Sequence, residues 1–363
     1  MMGLTGTTEQ RLTAALLEPK RASVTLGQLG FRGKVVSDDL RALAWTEWFL
    51  RPSFTRVKEA AAWEIAFLRD DELFAELART PEERRRRVQS WVTHAAESER
   101  CWEAAQAPFR LLYDGELATF CAVAPQERKI LVVARVDNNR AQGVLMRSLR
   151  ELASLRHQRH GAVILHAAAI EQHGQATLIL APKRGGKTTF LIGALLGGAR
   201  LIANDRVALY RRPEGICAAG IPTIVSLRPG TLELFPQLQA ELSERRLHFW
   251  RRPRDPVHTG EHSIAPLQLC RLTGAGVVPE ARVSRLLCLR PGNGDPKRLE
   301  DCQTLGQLRQ QVFDYTDAQR HFFVSLCPLE EARFREAAER MLRELCCQAE
   351  SWEYPREGNG ACR

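Results

Sequence analysis

The spacing of apolar positions changes along the chain. Thr8 to Leu17 allows a short helix, and Ala22 to Val36 shows weak alternation. Ser37-Asp38-Asp39 reads as the cap of a helix through Leu40, Leu43, Trp45 and Trp48. Over residues 55–105, Ala60, Ala61, Trp63, Ile65, Ala66 and Leu68 fall near helical spacing. Thr80-Pro81-Glu82-Glu83 reads as a helix start, with proline at the first position and acids in the first turn. From Phe109 the period becomes that of strands: Phe109 to Tyr113, a turn at Asp114-Gly115-Glu116, Ala118 to Val123, then Ile130 to Ala134. A helix carrying Leu145, Leu149, Leu152 and Leu155 follows. The pattern predicts a helix-rich region over 1–105, an α/β (α+β) domain over 106–350 whose strands after Phe109 either extend its sheet or make a small α+β lobe, and a loose tail over 351–363.

Residues 161–211 carry the most specific signal. Val163 to Ile170 reads as a strand bearing His166, Gln172-His173-Gly174-Gln175 as a hairpin, and Ala176 to Leu180 as a second strand. The loop Ala181-Pro182-Lys183-Arg184-Gly185-Gly186-Lys187-Thr188-Thr189 comes next, and Phe190 to Leu196 continues at helical density to a Gly197-Gly198 stop. A phosphate chain needs converging backbone N–H donors, a helix N-terminus, an ammonium for its terminal phosphates and a hydroxyl for magnesium. Gly185, Gly186 and Thr189 offer the backbone, Lys187 the cation and Thr188 the hydroxyl, while Lys183 and Arg184 add positive charge. The spacing departs from G-x-x-x-x-G-K-[S/T] at its first position, Ala181. In Arg200 to Tyr210 the apolar pattern resumes at Val207 directly after Asn204-Asp205, which places Asp205 in a bend between two strand pieces. The bland alternative is a solvated basic turn ahead of a helix.

Leu165-His166-Ala167, the loop Ala181 to Thr188 and Leu201-Ile202-Ala203-Asn204-Asp205-Arg206-Val207 together resemble the HPr kinase/phosphorylase family, whose P-loop domain is related to ATP-dependent phosphoenolpyruvate carboxykinase. That family's pattern runs as a histidine at a strand end, then G-x-S-G-x-G-K-[S/T], then a strand entering a pair of aspartates. The resemblance implies a P-loop domain with a mixed sheet, bound ATP and Mg2+, and phosphoryl transfer to a hydroxyl. It assigns the metal to Thr188 and Asp205, the β- and γ-phosphates to Lys187, and the active-site histidine to His166. Asn204 stands where the family's first aspartate accepts the hydroxyl proton, and an amide cannot do so near neutral pH. His166 titrates in a suitable range and is the candidate base, against the alternative of a core histidine at a strand end, with Asp205 the other candidate, serving metal and hydroxyl both.

Downstream, Gly220 to Thr231 reads as a strand, a turn and a short helix, with Arg228 a candidate substrate contact or a plain surface arginine. Glu241 to His262 mixes five arginines with His248, Phe249 and Trp250, which suits either a docking surface or an insertion without special role. His258 and His262 share a helical spacing that Thr259-Gly260 argues against. Val283 to Arg290 and Phe322 to Leu326 read as strands, and Leu329 to Cys347 as an amphipathic helix.

Bulk properties narrow the partners. A net charge of +9 favours acidic ones, from nucleotide phosphates to an acidic protein or peptide substrate. Nucleic acid is disfavoured: Arg84 to Arg87 lacks an aromatic platform and sits among acidic residues as a solvated face does. Ten cysteines without a C-x-x-C pair suggest neither zinc nor a disulfide framework. With neither a signal-peptide core nor a membrane-length apolar run, the expectation is a cytoplasmic protein without a membrane partner. The family resemblance leaves room for a homo-oligomer. Three functional readings follow: an ATP-dependent kinase acting on a serine or other hydroxyl of a protein or peptide, a nucleotide-binding regulatory or scaffold protein without transfer, and a small-molecule phosphotransferase on the same fold.

Overall fold

The computed structural model describes residues 6–17, 21–87, 101–115, 117–182, 184–245, 262–292, 295–313 and 330–356. These fall into two compact units, 6–156 and 157–313 with 330–356. Both are mixed α/β, with ten α-helices among the described residues.

The first unit is organised by a nine-stranded sheet in the order β3-β1-β2-β4-β9-β8-β7-β6-β5. Its strands are β1 (Ala22–Gln28), β2 (Phe31–Ser37), β3 (Thr55–Arg56), β4 (Trp63–Arg69), β5 (Arg86–Arg87), β6 (Trp102–Gln106), β7 (Phe109–Asp114), β8 (Thr119–Ala124) and β9 (Lys129–Ala134). The helices are α1 (Gly6–Leu17), α2 (Leu40–Leu50), α3 (Asp71–Ala78) and α4 (Gln142–Arg159). α1 and α3 cover one face, where Leu12, Leu73, Phe74 and Leu77 join Phe109, Phe120 and Leu131 in a buried cluster. The expected cap of α2 forms, with Asp39 accepting the Ala42 amide at 3.0 Å. Asp70 does the same for α3, accepting from Leu73 at 2.8 Å.

The helix-rich region expected over 1–105 is instead the first part of this sheet. Trp63 to Arg69, read as helical, is β4, which lies parallel to both β2 and β9. An interior parallel strand is buried on both faces and loses its period-two alternation, and Ala60-Ala61 supplied a helix-like spacing in its place. The expected boundary near 105 fails for the same reason, because β7, β8 and β9 belong to this sheet through the β4–β9 pairing. Thr80-Pro81 starts a single 3-10 turn, Glu82–Arg84, rather than a helix. Arg86 and Arg87 are exposed, and Arg86 pairs with Glu103, as a solvated edge would.

The second unit holds the other large sheet, in the order β10-β14-β15-β18-β12-β11-β13, with β20 beside β18 and β19 beside β20. Its strands are β10 (Val163–Leu165), β11 (Ala168–Gln172), β12 (Gln175–Leu180), β13 (Arg200–Ala203), β14 (Arg206–Arg212), β15 (Gly215–Ile221), β18 (Glu280–Pro291), β19 (Lys297–Arg298) and β20 (Glu350–Arg356), while β16 (Val225–Leu227) and β17 (His262–Ile264) pair separately. Six helices accompany them: α5 (Lys187–Leu196), α6 (Pro229–Leu232), α7 (Pro236–Arg245), α8 (Pro266–Thr273), α9 (Asp301–Gln311) and α10 (Glu331–Gln348). Successive side chains of β12 feed opposite layers. Leu178 and Leu180 join a cluster with Leu308, Leu342 and Leu345 of α9 and α10, whereas Ile179 joins Leu191, Ile192 and Leu195 of α5. Residues 351–356, expected as part of a loose tail, belong to β20, which pairs in parallel with β18.

The strand expected at Phe322 to Leu326 lies outside the described residues, as do Lys183, His258 and residues 246–261 of the basic-aromatic stretch. No helix among the described residues is long and apolar enough to cross a membrane.

Candidate functional site

Two strand interruptions build the site. The strand expected over Val163 to Ile170 is split at His166-Ala167 into β10 and β11, and the next antiparallel run is split at Asn204-Asp205 into β13 and β14. β10 pairs with β14 (Leu165 with Val207) and β11 with β13 (Ala169 with Ala203), so the two breaks fall opposite one another. That alignment sets His166 beside Asp205, with the imidazole Nε2 3.5 Å from Oδ1. The bend anticipated at Asp205 is where the structure has it.

The Ala181–Gly186 loop brings the third member. β12 runs into it from the hairpin at His173 and Gly174, whose φ values of 52° and 80° suit a two-residue turn. Lys187, first residue of α5, donates from Nζ to the same Asp205 Oδ1 at 2.9 Å. Its side chain is 9% exposed, against 34% for Asp205. Burial lowers the proton affinity of Lys187, and the Asp205 carboxylate opposes that shift. Burial also pushes the Asp205 carboxyl upward, but Lys187, His166 and Arg206 together outweigh it and hold the group below its ordinary range. The His166 imidazole is displaced below its usual value, chiefly by burial, with Asp205 pulling the other way and Lys187 and Arg206 adding to the fall.

Backbone conformation in the loop answers the sequence's departures. Ala181, where the P-loop pattern has glycine, is absent from the residues with positive φ and is buried in the apolar cluster of α5, so a methyl is accommodated there without strain. Arg184 takes φ 67°, in the left-handed region, and occupies the fourth position of G-x-S-G-x-G-K-[S/T]. Gly186, at φ 86°, is the N-cap of α5, and no side chain caps this helix. A Cβ on Gly185 would lie 2.8 Å from Pro182 Cδ. The Gly185 amide, expected as a ligand donor, is committed within the loop to the Pro182 carbonyl at 2.8 Å. The uncapped first turn, Lys187 to Thr189, therefore supplies the donors an anion could use.

The remaining candidates divide. Thr188 is half-buried in the first turn of α5. Thr189 is fixed by its hydroxyl to that of Thr231 at 3.0 Å, tying α5 to α6. Asn204 is 5% exposed; its Nδ2 donates to Thr223 Oγ1 at 2.8 Å and to the Ile224 carbonyl at 3.4 Å, which leaves Oδ1 buried without a partner. Arg228 is exposed and precedes α6, where its carbonyl accepts the Thr231 and Leu232 amides. Sequence reasoning missed Arg206 and Phe313. Arg206 is 4% exposed, and its guanidinium carbon lies 4.6 Å from the Phe313 ring centroid. No spacing rule connects Phe313 to His166, because Val312 and Leu165 meet only through a tertiary bridge.

The cluster can hold an anion at the head of α5, with Lys187 as counter-charge, and can offer Asp205 and Thr188 as oxygen donors to a divalent ion. Among the described residues no group of three or more His, Cys, Asp and Glu side chains could hold a metal ion. A cation here would thus draw further oxygen ligands from a bound phosphate or water. No family model matches the sequence, and no curated protein matches it either.

Proposed function

We propose that the second unit is an HPr kinase-like P-loop phosphotransferase that binds Mg-ATP and transfers its γ-phosphoryl group to a hydroxyl of a protein or peptide. The observation that carries this reading is the 2.9 Å contact between Lys187, at the uncapped start of α5, and Asp205, in the opposing strand break. An ammonium, a carboxylate and free helix-end amides in one place fit a magnesium-bound triphosphate, because each charge on the ligand finds an opposite one.

Bound Mg-ATP supplies the phosphoryl group and the cation that offsets its charge. Lys187, whose proton affinity burial lowers, would meet the phosphate oxygens of a bound nucleotide with its ammonium. Asp205, held ionised, and the Thr188 hydroxyl would hold the cation. Gly186 allows the left-handed turn that aims the first amides of α5 at the phosphates. His166 is uncharged near pH 7, since its imidazole lies below the ordinary value, and takes the proton of the attacking hydroxyl. Asn204 cannot be that base, since an amide takes no proton near neutral pH and its Oδ1 is buried.

A second reading, a nucleotide-binding regulator without transfer, is favoured by Asn204 alone. A thermal shift with Mg-ATP tests the nucleotide site. Transfer of label from γ-labelled ATP to acidic peptides and candidate carrier proteins, compared with Lys187→Ala, tests the kinase. A shift without any transfer would leave the regulator, and no shift would sink both readings.

A further inference from the structure

The chain at the end of α9 runs alongside the His166 end of β10. The His166 amide donates to the Gln311 carbonyl at 2.8 Å, Val312 bridges Leu165, and the Phe313 amide donates to the Ile164 carbonyl at 2.9 Å. Residues 311–313 are thus hydrogen-bonded along β10 at the strand break itself. Val312 packs on the apolar cluster of α9 and α10. The Phe313 ring, only half-buried, instead meets two polar groups: the His166 imidazole at 5.7 Å between centroids and 39° between planes, and the Arg206 guanidinium at 4.6 Å. His166 lies 3.5 Å from the Asp205 carboxylate, and Arg206 follows Asp205 in the chain.

We propose that Phe313 is a positioning residue for phosphoryl transfer, its ring holding the His166 imidazole and the Arg206 guanidinium at Asp205. A π face attracts a cation and sets the tilt of a neighbouring ring, and an aliphatic side chain of equal bulk does neither. Phe313 then governs the rate of the chemical step rather than nucleotide affinity, since its ring meets His166 and Arg206, whereas the groups that would grip the phosphates are Lys187, bonded to Asp205, and the amides that begin α5 at Gly186.

This inference rests on the phosphotransferase reading, and one experiment separates the two. The full chain is given Mg-ATP alone, with water as acceptor. Hydrolysis breaks the bond between the γ-phosphorus and the β–γ bridging oxygen and joins that phosphorus to the oxygen of water. The proton released from water goes to the His166 imidazole and then to solvent, leaving ADP and inorganic phosphate. Steady-state hydrolysis and thermal shift are measured for wild type, Phe313→Leu, Phe313→Ala and Phe313→Tyr. A loss of orientation predicts that Phe313→Leu and Phe313→Ala fall about tenfold in kcat with KM for Mg-ATP within about twofold, and that Phe313→Tyr stays within about threefold of wild type. Phe313→Leu settles the matter should the alanine variant not fold. A leucine variant at the wild-type rate, or one whose KM rises as its rate falls, overturns the positioning role and leaves the nucleotide site standing. Wild-type protein that Mg-ATP stabilises with neither hydrolysis nor transfer of label to any peptide or carrier protein overturns both transfer and the role of Phe313. Absence of any Mg-ATP stabilisation removes the nucleotide reading and everything built on it.

Discussion

Helices α2 and α3 of the first unit and α5 of the second finish their N-termini in opposite ways. In the first, Asp39 and Asp70 cap α2 and α3, and arginines restrain both acids: Arg69 lies 2.8 Å from Asp39, and Arg11 lies 3.0 Å from Asp70. In the second, α5 starts at a left-handed glycine with no side-chain cap, and the nearby carboxylate of Asp205 is bound to a lysine instead. A capped end has its orphan donors satisfied and serves stability, while an uncapped end keeps them available for an anion. The same residue type, aspartate, closes a helix in one unit and in the other leaves it open by pairing with the cation that a ligand would claim.

Removing that cation strains the comparison most. Wild-type protein at a Mg-ATP concentration 100 times Kd should gain about 2.7 kcal/mol of stability. Lys187→Ala should lose most of that gain and slow transfer at least about a hundredfold, since the charge acts on the transferred group itself. Thermal denaturation with and without Mg-ATP reads the first effect and labelled transfer the second. An unchanged shift in this variant would return α5 to the class of merely structural helices.

Next in size is the consequence of stranding the lysine. Asp205→Ala leaves the ammonium of Lys187 in a setting that is 9% exposed with its carboxylate gone. Breaking a fully buried pair costs about 3–5 kcal/mol, and because Asp205 keeps a third of its surface accessible a cost of about 2 kcal/mol is expected. Urea unfolding of the two single variants and of Lys187→Ala/Asp205→Ala completes the cycle. The double variant should be more stable than the sum of the singles predicts, since the stranded charge is gone. Additive losses would mean that the pair contributes nothing as a pair.

These expectations also mark how far the sequence could be read. Strand, loop and helix around Lys187 were legible because each has a local signal: the apolar run of β12, the paired glycines and the Gly197-Gly198 stop. The bend at Asp205 was legible because the apolar pattern resumes at once at Val207. The break at His166 was not, since Ala167-Ala168-Ala169 continues the apolar run and only pairing to two different strands reveals it. The first unit was misread because β4 is covered on both faces, which erases the alternation that marks a strand. Phe313 and the commitment of the Gly185 amide depend on tertiary contacts and loop geometry, which no spacing encodes.

On the other side of the comparison, Asp70→Ala should cost about 1 kcal/mol, the usual loss for a helix cap. The Leu73 amide would lose its acceptor and Arg11 one of its partners, although Arg11 also binds Glu76. The Mg-ATP shift should stay at its wild-type size, as a cap that acts only on its own helix requires. A diminished shift would show that the two kinds of helix end are energetically coupled.

The smallest effect tests the loop from within. Arg184 holds φ 67°, a conformation that costs a side-chain-bearing residue about 1–2 kcal/mol and glycine nothing. Glycine loses about 0.5–1 kcal/mol more backbone entropy on folding, so Arg184→Gly should stabilise the protein by about 0.5 kcal/mol. The same change removes an exposed cation from the loop ahead of α5, and at low salt Mg-ATP should bind about two- to threefold more weakly, with the difference fading as salt screens it. Stability and affinity would then move in opposite directions from one substitution, as expected where a strained residue is kept for its charge. If affinity holds while stability rises, the arginine only occupies a turn, and the charge that meets the phosphates comes from Lys187 and the helix end alone.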